Sequence, residues 1–350
     1  MNKKINIGFT CAGGSYIIQN ILCLRKVKGF NFKIIGLDKK KIKNANEFFL
    51  DEKYICPDPK LNKKKYNNYI INFCKKKKIH ILFVLSETEI KSLSLINTNE
   101  IKTKLVLPDK KFSNIADDKF KFLNYLKNNN IIKDNFVKID SIEDLKVALK
   151  GKVFDKKDLV LKPRVSRGSR GVIIIKKKVK FYHALKDRLC LVGNKKSILS
   201  FLNHNNTKIK NYLLMEYFGD NVYDIDCFSI KGNITYLCQR QREYNNPLSP
   251  INEGCKIVNN QKINRKLKEL IKDLNITGIV DLDIAIDKKN EVHIIDVSSR
   301  LSGSAGASIE VGMNIFESVV KYYLLNKEIK QLFKKSAKIR PITTFKKVAQ

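Results

Sequence analysis

The sequence lacks the marks of a membrane or secreted protein. No run of eighteen apolar residues is present, and the N-terminal Met-Asn-Lys-Lys leads directly into a strand pattern rather than into the apolar core of a signal peptide. The eight cysteines show no CxxC spacing, so the sequence favours reduced, mostly buried thiols over a disulfide framework or a zinc site. We therefore expect a cytoplasmic protein with no membrane partner.

Acidic residues are scarce relative to basic ones, and arginine is scarce relative to lysine. The chain has 69 Lys and Arg against 34 Asp and Glu, a formal net charge of +35, yet only ten of the basic residues are Arg. A field of that size is typical of nucleic-acid binding. No helix-turn-helix, zinc-finger or RNP-like pattern accompanies it, and the lysines are spread along the whole chain. We expect a solvated basic surface and no specific nucleic-acid partner, with a basic nucleic-acid-binding protein as an alternative.

The pattern of strands and helices changes once along the chain. Strands alternate with helices in the first part, whereas hairpins with alternating faces dominate after about residue 158. A length of 350 residues allows two or three domains. We predict an α/β domain over 1–112, an α+β domain with antiparallel sheets over 113–330, and a C-terminal tail over 331–350. Helices are expected at 115–130 and 180–188.

A glycine turn follows the first predicted strand. Gly13 and Gly14 precede an apolar helical pattern, and the second strand ends in Asp38. This order is that of a mononucleotide-binding unit, because a glycine turn before a helix leaves backbone N–H groups for an anion. The GxGxxG spacing is not met, and the glycines would also serve simply to pack the helix on the sheet. Both interpretations stay open.

Acidic residues interrupt the apolar alternation of two neighbouring strands in 278–306. Asp281 and Asp283 share one strand face, Asp296 ends an apolar run, and Arg300 follows shortly after. Carboxylates from two paired strands would suit Mg²⁺, and Arg300 would suit a phosphate. Strand faces that are simply solvated would give the same sequence pattern, so both interpretations stay open. Glu87, at the carboxyl end of another strand, is either a substrate contact or a first-turn helix residue.

Two basic segments complete the set of candidate residues. Residues 161–171 join two strands through Gly168, Ser169 and Gly171, so this hairpin could fold over a polyphosphate with Lys162 as a fixed cation, or form an exposed basic turn. Arg240 and Arg242 enter a long polar loop. They are placed either to hold an acidic substrate or to be solvated at the end of a strand.

The order of these motifs, with Lys119 before them and the strand ending in Glu216, Tyr217 and Phe218, resembles the ATP-grasp superfamily. The likeness is strongest to single-copy relatives of the ATP-binding halves of the carbamoyl phosphate synthetase large chain and of amino-acid ligases. It covers nearly the whole chain. The resemblance implies a Rossmann-like pre-ATP-grasp domain over 1–112 followed by a two-subdomain ATP-grasp fold, with a small lid subdomain at about 135–215.

The resemblance also implies roles for individual residues. For ATP these are Lys119 and Lys162 at the phosphates, the flexible loop with Ser166, Gly168, Ser169 and Gly171, Glu216, Tyr217 and Phe218 at the adenine, and Asp224 as a substitute near the ribose. Mg²⁺ (or Mn²⁺) would be held by Asp283, Asp296 and Ser298. Catalysis would fall to Arg300 and Lys162, and substrate contact to Glu87, Ser302 and Gly303, besides Arg240 and Arg242.

The sequence departs from the family at two kinds of position. The family prefers Glu and Asn where this chain has Asp296 and Ser298, and the ribose-binding acid is replaced by Val222, with either Asp220 or Asp224 as its substitute. The resemblance implies an ATP-dependent ligase that joins a small carboxylate or amino acid to an amine through an acyl-phosphate. No Ser/His/Asp or Cys/His nucleophile is present, and none is needed. A nucleotide-binding pseudo-enzyme of the same fold is a further alternative, and a homodimer is left open as the assembly.

Overall fold

The structure is a computed structural model that describes residues 3–96, 101–166, 168–185, 188–243 and 254–342. Three β-sheets succeed one another along the chain, and helices pack on them. This confirms the expected fold class. The domain limits at 112, at 330 and at about 135–215 stay predictions of the sequence. No helix in these ranges is long and apolar enough to cross a bilayer.

The first sheet is parallel throughout, as the alternation of strands and helices predicts. Its strands lie in the order β3-β2-β1-β4-β5. They are β1 (Lys3–Phe9), β2 (Phe30–Asp38), β3 (Glu52–Ile55), β4 (Ile81–Phe83) and β5 (Lys104–Val106). The helices of this part are α1 (Ile17–Arg25), α2 (Lys63–Lys76) and α3 (Glu87–Leu93), with a 3₁₀ helix at Ala45–Phe49.

Two helices connect the first sheet to the second, α4 (Lys110–Ala116) and α5 (Lys119–Asn128). The single helix expected at 115–130 is therefore wrong. The helical pattern is interrupted at Asp118. Its carboxylate accepts hydrogen bonds from the backbone N–H groups of Phe120 and Lys121 and so caps a new helix. The break places Lys119 in the first turn of α5.

The second sheet is antiparallel except for one pair, β8 with β10, and has the order β6-β11-β7-β8-β10-β9. Its strands are β6 (Phe136–Ile139), β7 (Leu159–Pro163), β8 (Ile173–Ile175), β9 (Tyr182–Leu185), β10 (Arg188–Gly193) and β11 (Tyr212–Glu216). Helices α6 (Ile142–Lys150) and α7 (Lys195–His204) and a 3₁₀ helix at Lys152–Phe154 accompany it.

The helix expected at 180–188 is wrong as well. Tyr182 pairs with Val192 and His183 with Leu191 in an antiparallel ladder. The segment contains aromatic side chains that suit a strand, and pairing with a neighbouring strand outweighs a weak local helical pattern.

The third sheet is antiparallel and has the order β16-β15-β12-β13-β14-β17. Its strands are β12 (Val222–Ile230), β13 (Asn233–Arg242), β14 (Cys255–Val258), β15 (Gly278–Ile286), β16 (Val292–Ser298) and β17 (Ala337–Ile339). Helices α8 (Gln261–Asp273) and α9 (Ile315–Leu325) and a 3₁₀ helix at Ala305–Val311 pack on it. The strand β17 lies in the predicted tail, of which residues 343–350 are outside the described ranges.

One hydrophobic core joins the first sheet to the third. Phe9 and Phe83 of the first sheet pack with Phe316 of α9, and the same cluster includes Phe228 and Tyr236 of the third sheet. Because these side chains are almost fully buried, the carboxyl edge of the first sheet is held against the third. This packing brings Glu87 to the acidic strands.

Candidate active site

Three carboxylates stand directly opposite one another on adjacent strands. Asp224 of β12 pairs with Asp283 of β15, and Asp283 pairs in turn with Asp296 of β16. Residues that face each other across a sheet point to the same side, so these three side chains form one row. We call Asp224, Asp283 and Asp296 the carboxylate row.

A second row lies next to it on the same face. Asp226 of β12 pairs with Asp281 of β15, and Asp281 pairs with Ser298 of β16. The expected sharing of a face by Asp281 and Asp283 is therefore confirmed by the pairing. The sequence left Asp281 without a role, yet its side chain lines the same cavity as Asp283.

Basic side chains offset the charge of the carboxylate row. Arg242 donates from Nε to Asp224 Oδ1 at 2.6 Å, and its Nη2 lies 2.7 Å from Asp283 Oδ1. Lys119 Nζ lies 3.3 Å from Asp296 Oδ1. Like charges placed opposite each other in a sheet repel, so these cations stabilise the arrangement.

The row and its neighbours shift the pKa values of the acids. Burial raises the pKa of Asp283 to about 6, with Asp224 and Asp296 acting the same way and Arg242 opposing them. For Asp224, burial raises the pKa, but the two arginines Arg242 and Arg240 outweigh it and the net shift is downward. Burial and the charges of Asp226 and Asp283 hold the pKa of Asp281 well above its usual range. A nearby cation would favour the ionised form of each acid whose pKa is raised.

Lys162 and Lys119 approach the carboxylate row from the other side. Lys162 is on β7, is only 6% exposed, and donates from Nζ to the backbone carbonyl of Ile295. Burial lowers the pKa of Lys162 to about 8, and the charge of Lys119 adds to this, while Asp296 and Asp283 oppose it. At neutral pH the amine is still mainly charged, so both lysines present cations to the cavity.

Lys119 is fixed at the start of α5 by several contacts. Its backbone N–H donates to the carbonyl of Arg164 at 3.0 Å, and its Nζ donates to the carbonyl of Ser166 at 2.7 Å. The guanidinium of Arg164 pairs with the capping residue Asp118 at 2.5 Å. The helix start and the basic loop are therefore held together, which the two separate sequence patterns did not indicate.

The glycine-containing loop turns between β7 and β8 through left-handed backbone conformations. The φ angles of Gly168, Ser169 and Gly171 are 61°, 55° and 76°. A Cβ at Gly171 would lie 2.8 Å from the ring of Pro163, so this close turn requires glycine. Ser166 Oγ donates to the carbonyl of Arg170 at 2.9 Å. The intervening residue 167 lies outside the described ranges.

The predicted adenine hinge follows β11. The backbone N–H of Tyr217 donates to the carbonyl of Asp158 at 2.8 Å, which ties the hinge to the start of β7. The ring of Phe218 stacks on the imidazole of His293 with centroids 3.6 Å apart and planes 5° from parallel. Glu216 pairs with Lys157 at 2.5 Å. His293 therefore supports the hinge, a contact that its place among strand residues did not reveal.

Glu87 reaches the third sheet from the first turn of α3. Its Oε1 lies 3.5 Å from Ser298 Oγ and 3.5 Å from Arg300 Nε. Arg300 also donates from Nη1 to the carbonyl of Leu301 at 2.7 Å. The Glu87 carboxylate, the Ser298 hydroxyl and the Arg300 guanidinium thus meet at one point. The Glu87 side chain lines the cavity, and its role as a substrate contact stays a prediction.

Arg240 and Arg242 differ although they are two residues apart on one strand. Arg240 is fully buried in an ion pair with Asp226 and donates to Ser302 Oγ at 3.0 Å and to the carbonyl of Ser304 at 3.2 Å. It lies beneath the loop of small residues at 302–306, which we call the small-residue loop, rather than on the cavity wall. Its predicted role as a direct grip on substrate therefore has no support from its position.

The small-residue loop has small side chains because the start of α1 packs closely against it. A Cβ at Gly303 would lie 2.7 Å from the ring of Tyr16, and one at Gly306 would lie 2.2 Å from Gln19 Nε2. Both Tyr16 and Gln19 line the cavity. Nothing in the sequence pointed to α1 as the element that approaches this loop.

A cavity of about 900 Å³ collects nearly all of the predicted residues. The predicted site residues on its wall are Glu87, Lys119, Lys162, Ser166, Gly168, Ser169, Glu216, Tyr217, Phe218, Asp224, Arg242, Asp283, Asp296, Ser298, Arg300, Ser302 and Gly303. Of the predicted set, Gly171 and Arg240 are not on the wall. Residues 338–342 also line it, so the predicted tail takes part in the site. A volume of this size accommodates a nucleotide with a small second ligand.

The donor set fits a magnesium ion that arrives with phosphates. Among the described residues, no three His, Cys, Asp or Glu side chains form a metal-binding group by themselves. Asp283 and Asp296 face each other directly, and Ser298 adds a hydroxyl two residues along β16. Mg²⁺ in nucleotide enzymes is typically held by one or two carboxylates, with phosphate oxygens and water as the remaining ligands.

The glycine turn of the first sheet uses its own donors internally. Gly13 N–H donates to Asp38 Oδ2 at 2.9 Å, and Asn46 Nδ2 donates to the carbonyls of Ala12 and Gly14 at 2.9 and 2.7 Å. An amide that is already bonded to a carboxylate is not offered to an anion. The contacts favour the packing interpretation of these glycines.

Comparisons with known proteins agree with this geometry. Residues 208–345 match a family described as ATP-grasp in the biosynthetic pathway with Ter operon. No curated protein was found to match the chain.

Several solved structures share the fold at low identity. An L-amino acid ligase from Bacillus licheniformis aligns with a TM-score of 0.63 and 12% identity over 93% of this chain and 75% of that one. An N5-carboxyaminoimidazole ribonucleotide synthetase from Thermotoga maritima aligns at 0.61 and 17%, over 97% and 80%. The biotin carboxylase domain dimer of the Hydrogenobacter thermophilus 2-oxoglutarate carboxylase, in complex with MgADP, ADP and bicarbonate, aligns at 0.66 and 13%, over 93% and 71%. The chain therefore has an ATP-grasp fold.

Proposed function

We propose that the protein is an ATP-dependent carboxylate–amine ligase that forms an acyl-phosphate from a small carboxylate or amino acid. The observation that carries the proposal is the meeting, in one cavity, of two lysines, two opposed carboxylates and Arg300. The similar structures include an L-amino acid ligase and a phosphoribosylglycinamide synthetase, which supports a carbon–nitrogen ligase over other uses of the fold.

The residues divide the work by position. The hinge of Glu216, Tyr217 and Phe218 is suited to hold the adenine, and Lys119 and Lys162 are suited to hold the phosphates. Asp283 and Asp296, with Ser298, would hold Mg²⁺ or Mn²⁺, which when bound neutralises phosphate charge.

The reaction needs no protein nucleophile. A substrate carboxylate oxygen bonds to the γ-phosphorus as the bond to the leaving ADP breaks, and Lys162 and Arg300 stabilise the spread negative charge. An amine then attacks the acyl carbon, phosphate leaves with the electrons of its bond, and the amine proton passes to solvent. Glu87, which contacts Arg300, is placed to orient the substrate that meets it.

A phosphate-release screen tests the proposal. Pairs of amino acids and small carboxylates are offered with Mg²⁺ and ATP, and Lys162→Ala and Asp296→Asn serve as controls. We expect release that depends on both an acid and an amine, with a loss of about 100-fold or more in Lys162→Ala. Nucleotide binding without phosphate release for any pair would instead support the pseudo-enzyme. That alternative is based on the departures from the family at Asp296 and Ser298. Nucleic-acid binding with steep salt dependence and no Mg-ATP binding would support the basic nucleic-acid-binding protein.

The cytoplasmic location and the homodimer belong to this proposal. The eight cysteines all lie in the described ranges and none forms a disulfide, which supports a reducing compartment. The dimer stays a prediction.

A further inference from the structure

Arg242 lines the cavity and contacts two acids of the carboxylate row. It is on β13, beside β12, and its guanidinium reaches across to Asp283 on β15. Nε contacts Asp224 at 2.6 Å and Nη2 contacts Asp283 at 2.7 Å. One side chain thus supplies counter-charge to two of the three acids in the carboxylate row.

The contact with Asp283 competes with any other cation. Asp283 Oδ1 is the oxygen that Arg242 holds, and Asp283 is one of the two carboxylates placed to ligate a divalent ion. The third acid of the row, Asp296, has Lys119 at the longer distance of 3.3 Å. A divalent ion without phosphates would have to compete with Arg242 for Asp283. An ion that arrives with a nucleotide brings additional ligands that offset this cost.

We propose that Arg242 is an internal counter-ion that a divalent metal displaces from Asp283. The inference rests on the proposed function for the role of Asp283 as a metal ligand. Arg242 contacts Asp224 through both Nε and Nη2, so displacement requires only that Nη2 give up its contact with Asp283 while the contacts with Asp224 are kept. Arg242 is then a positioning residue with two effects. It disfavours binding of bare metal, and it directs a positive charge into the cavity once the metal is bound.

Arg242 has a matched control in the same cavity. Arg170 also lines the wall and carries the same charge, but it is on the glycine-containing loop and has no contact with the carboxylate row among the described contacts. Arg170→Gln therefore removes one cationic group from the cavity without removing the competitor for Asp283. Arg242→Lys keeps the charge but lacks the planar fork whose Nε holds Asp224 while Nη2 contacts Asp283.

The test is a titration of the full chain with Mn²⁺ alone, followed by electron paramagnetic resonance of the unbound ion. Without nucleotide, we expect Arg242→Gln to bind Mn²⁺ about tenfold more tightly than the wild type, a difference of about 1.4 kcal/mol. Arg242→Lys should lie between the two, and Arg170→Gln should stay within about twofold of the wild type. If Arg242→Gln fails to fold, the Arg242→Lys value decides.

The inference is overturned if neither Arg242 variant binds Mn²⁺ more tightly than the wild type, if Arg170→Gln gains as much as Arg242→Gln, or if no variant binds Mn²⁺. The measurement contains no nucleotide or substrate. A tighter Arg242→Gln with no phosphate release in the screen would leave this inference standing and defeat the ligase, whereas release with unchanged Mn²⁺ affinity would do the reverse.

Discussion

Replacing Arg240 by leucine is expected to lower the free energy of unfolding by about 3–5 kcal/mol, because the Asp226 carboxylate would be left buried without its partner. Both side chains are 0% exposed, so water cannot replace the lost contact. Asp226 Oδ1 already has no hydrogen-bond partner, and Asp226 stands opposite Asp281, a second acid. The change also removes the bonds of Arg240 to the small-residue loop, which places the expected cost in the upper half of that range.

A double variant separates the charge effect from the packing effect. Arg240→Leu/Asp226→Leu removes both charges and keeps an apolar volume, so we expect it to recover most of the lost stability. Urea unfolding of the wild type, both single variants and the double variant gives the coupling energy. The reasoning is refuted if Arg240→Leu costs less than about 1 kcal/mol, or if the double variant is as unstable as the sum of the single ones.

Three further changes test the contacts around the cavity. Gly303→Ala should raise the KM for substrate about tenfold or more with little change in nucleotide affinity, since its Cβ would lie 2.7 Å from the Tyr16 ring, and adding Tyr16→Ala should reverse the effect. Recovery that does not occur would mean that the loop fails for another reason. Glu87→Gln should weaken substrate binding by about tenfold, because it removes the charge beside Arg300, and an unchanged KM would exclude Glu87 from the substrate site. Burial lowers the pKa of His293, but its bond to Asp134 outweighs this and the net shift is upward. The stabilisation from the charged imidazole is complete below the unfolded pKa of about 6.5 and is lost as the pH rises through the higher folded value, so His293→Gln should cost about 1–2 kcal/mol at about pH 5.5 and less at about pH 9 in urea unfolding. An equal cost at both pH values would contradict this assignment.

The acidic strands were the part of the site most open to prediction from sequence. Alternation along β15 placed Asp281 and Asp283 on one face, and the pairing with β12 and β16 confirms it. The order of the motifs indicated the fold through the family resemblance. Each motif could be located because it follows a strand whose apolar pattern is local. Glu87 was identified as a strand-end residue, but only the shared core of the first and third sheets brings it within 3.5 Å of Arg300.

Predictions failed where contacts between distant segments override local pattern. Residues 180–188 have a helical spacing, yet β9 pairs with β10. The single helix at 115–130 is divided by the cap that Asp118 provides. Strand β17 completes the third sheet from within a segment that the Lys-rich composition marked as a tail.

Arg240 and Arg242 summarise the difference between the two kinds of information. The sequence by itself determined that both lie where a strand enters a long polar loop, and residues two apart on a strand share a face. Only the tertiary structure decided that Arg240 is buried against Asp226 while Arg242 reaches the carboxylate row. Whether each arginine is buried or faces the cavity depends on where along the strand the packed core ends and the cavity begins. That limit is set by elements remote in sequence, and no local pattern records it.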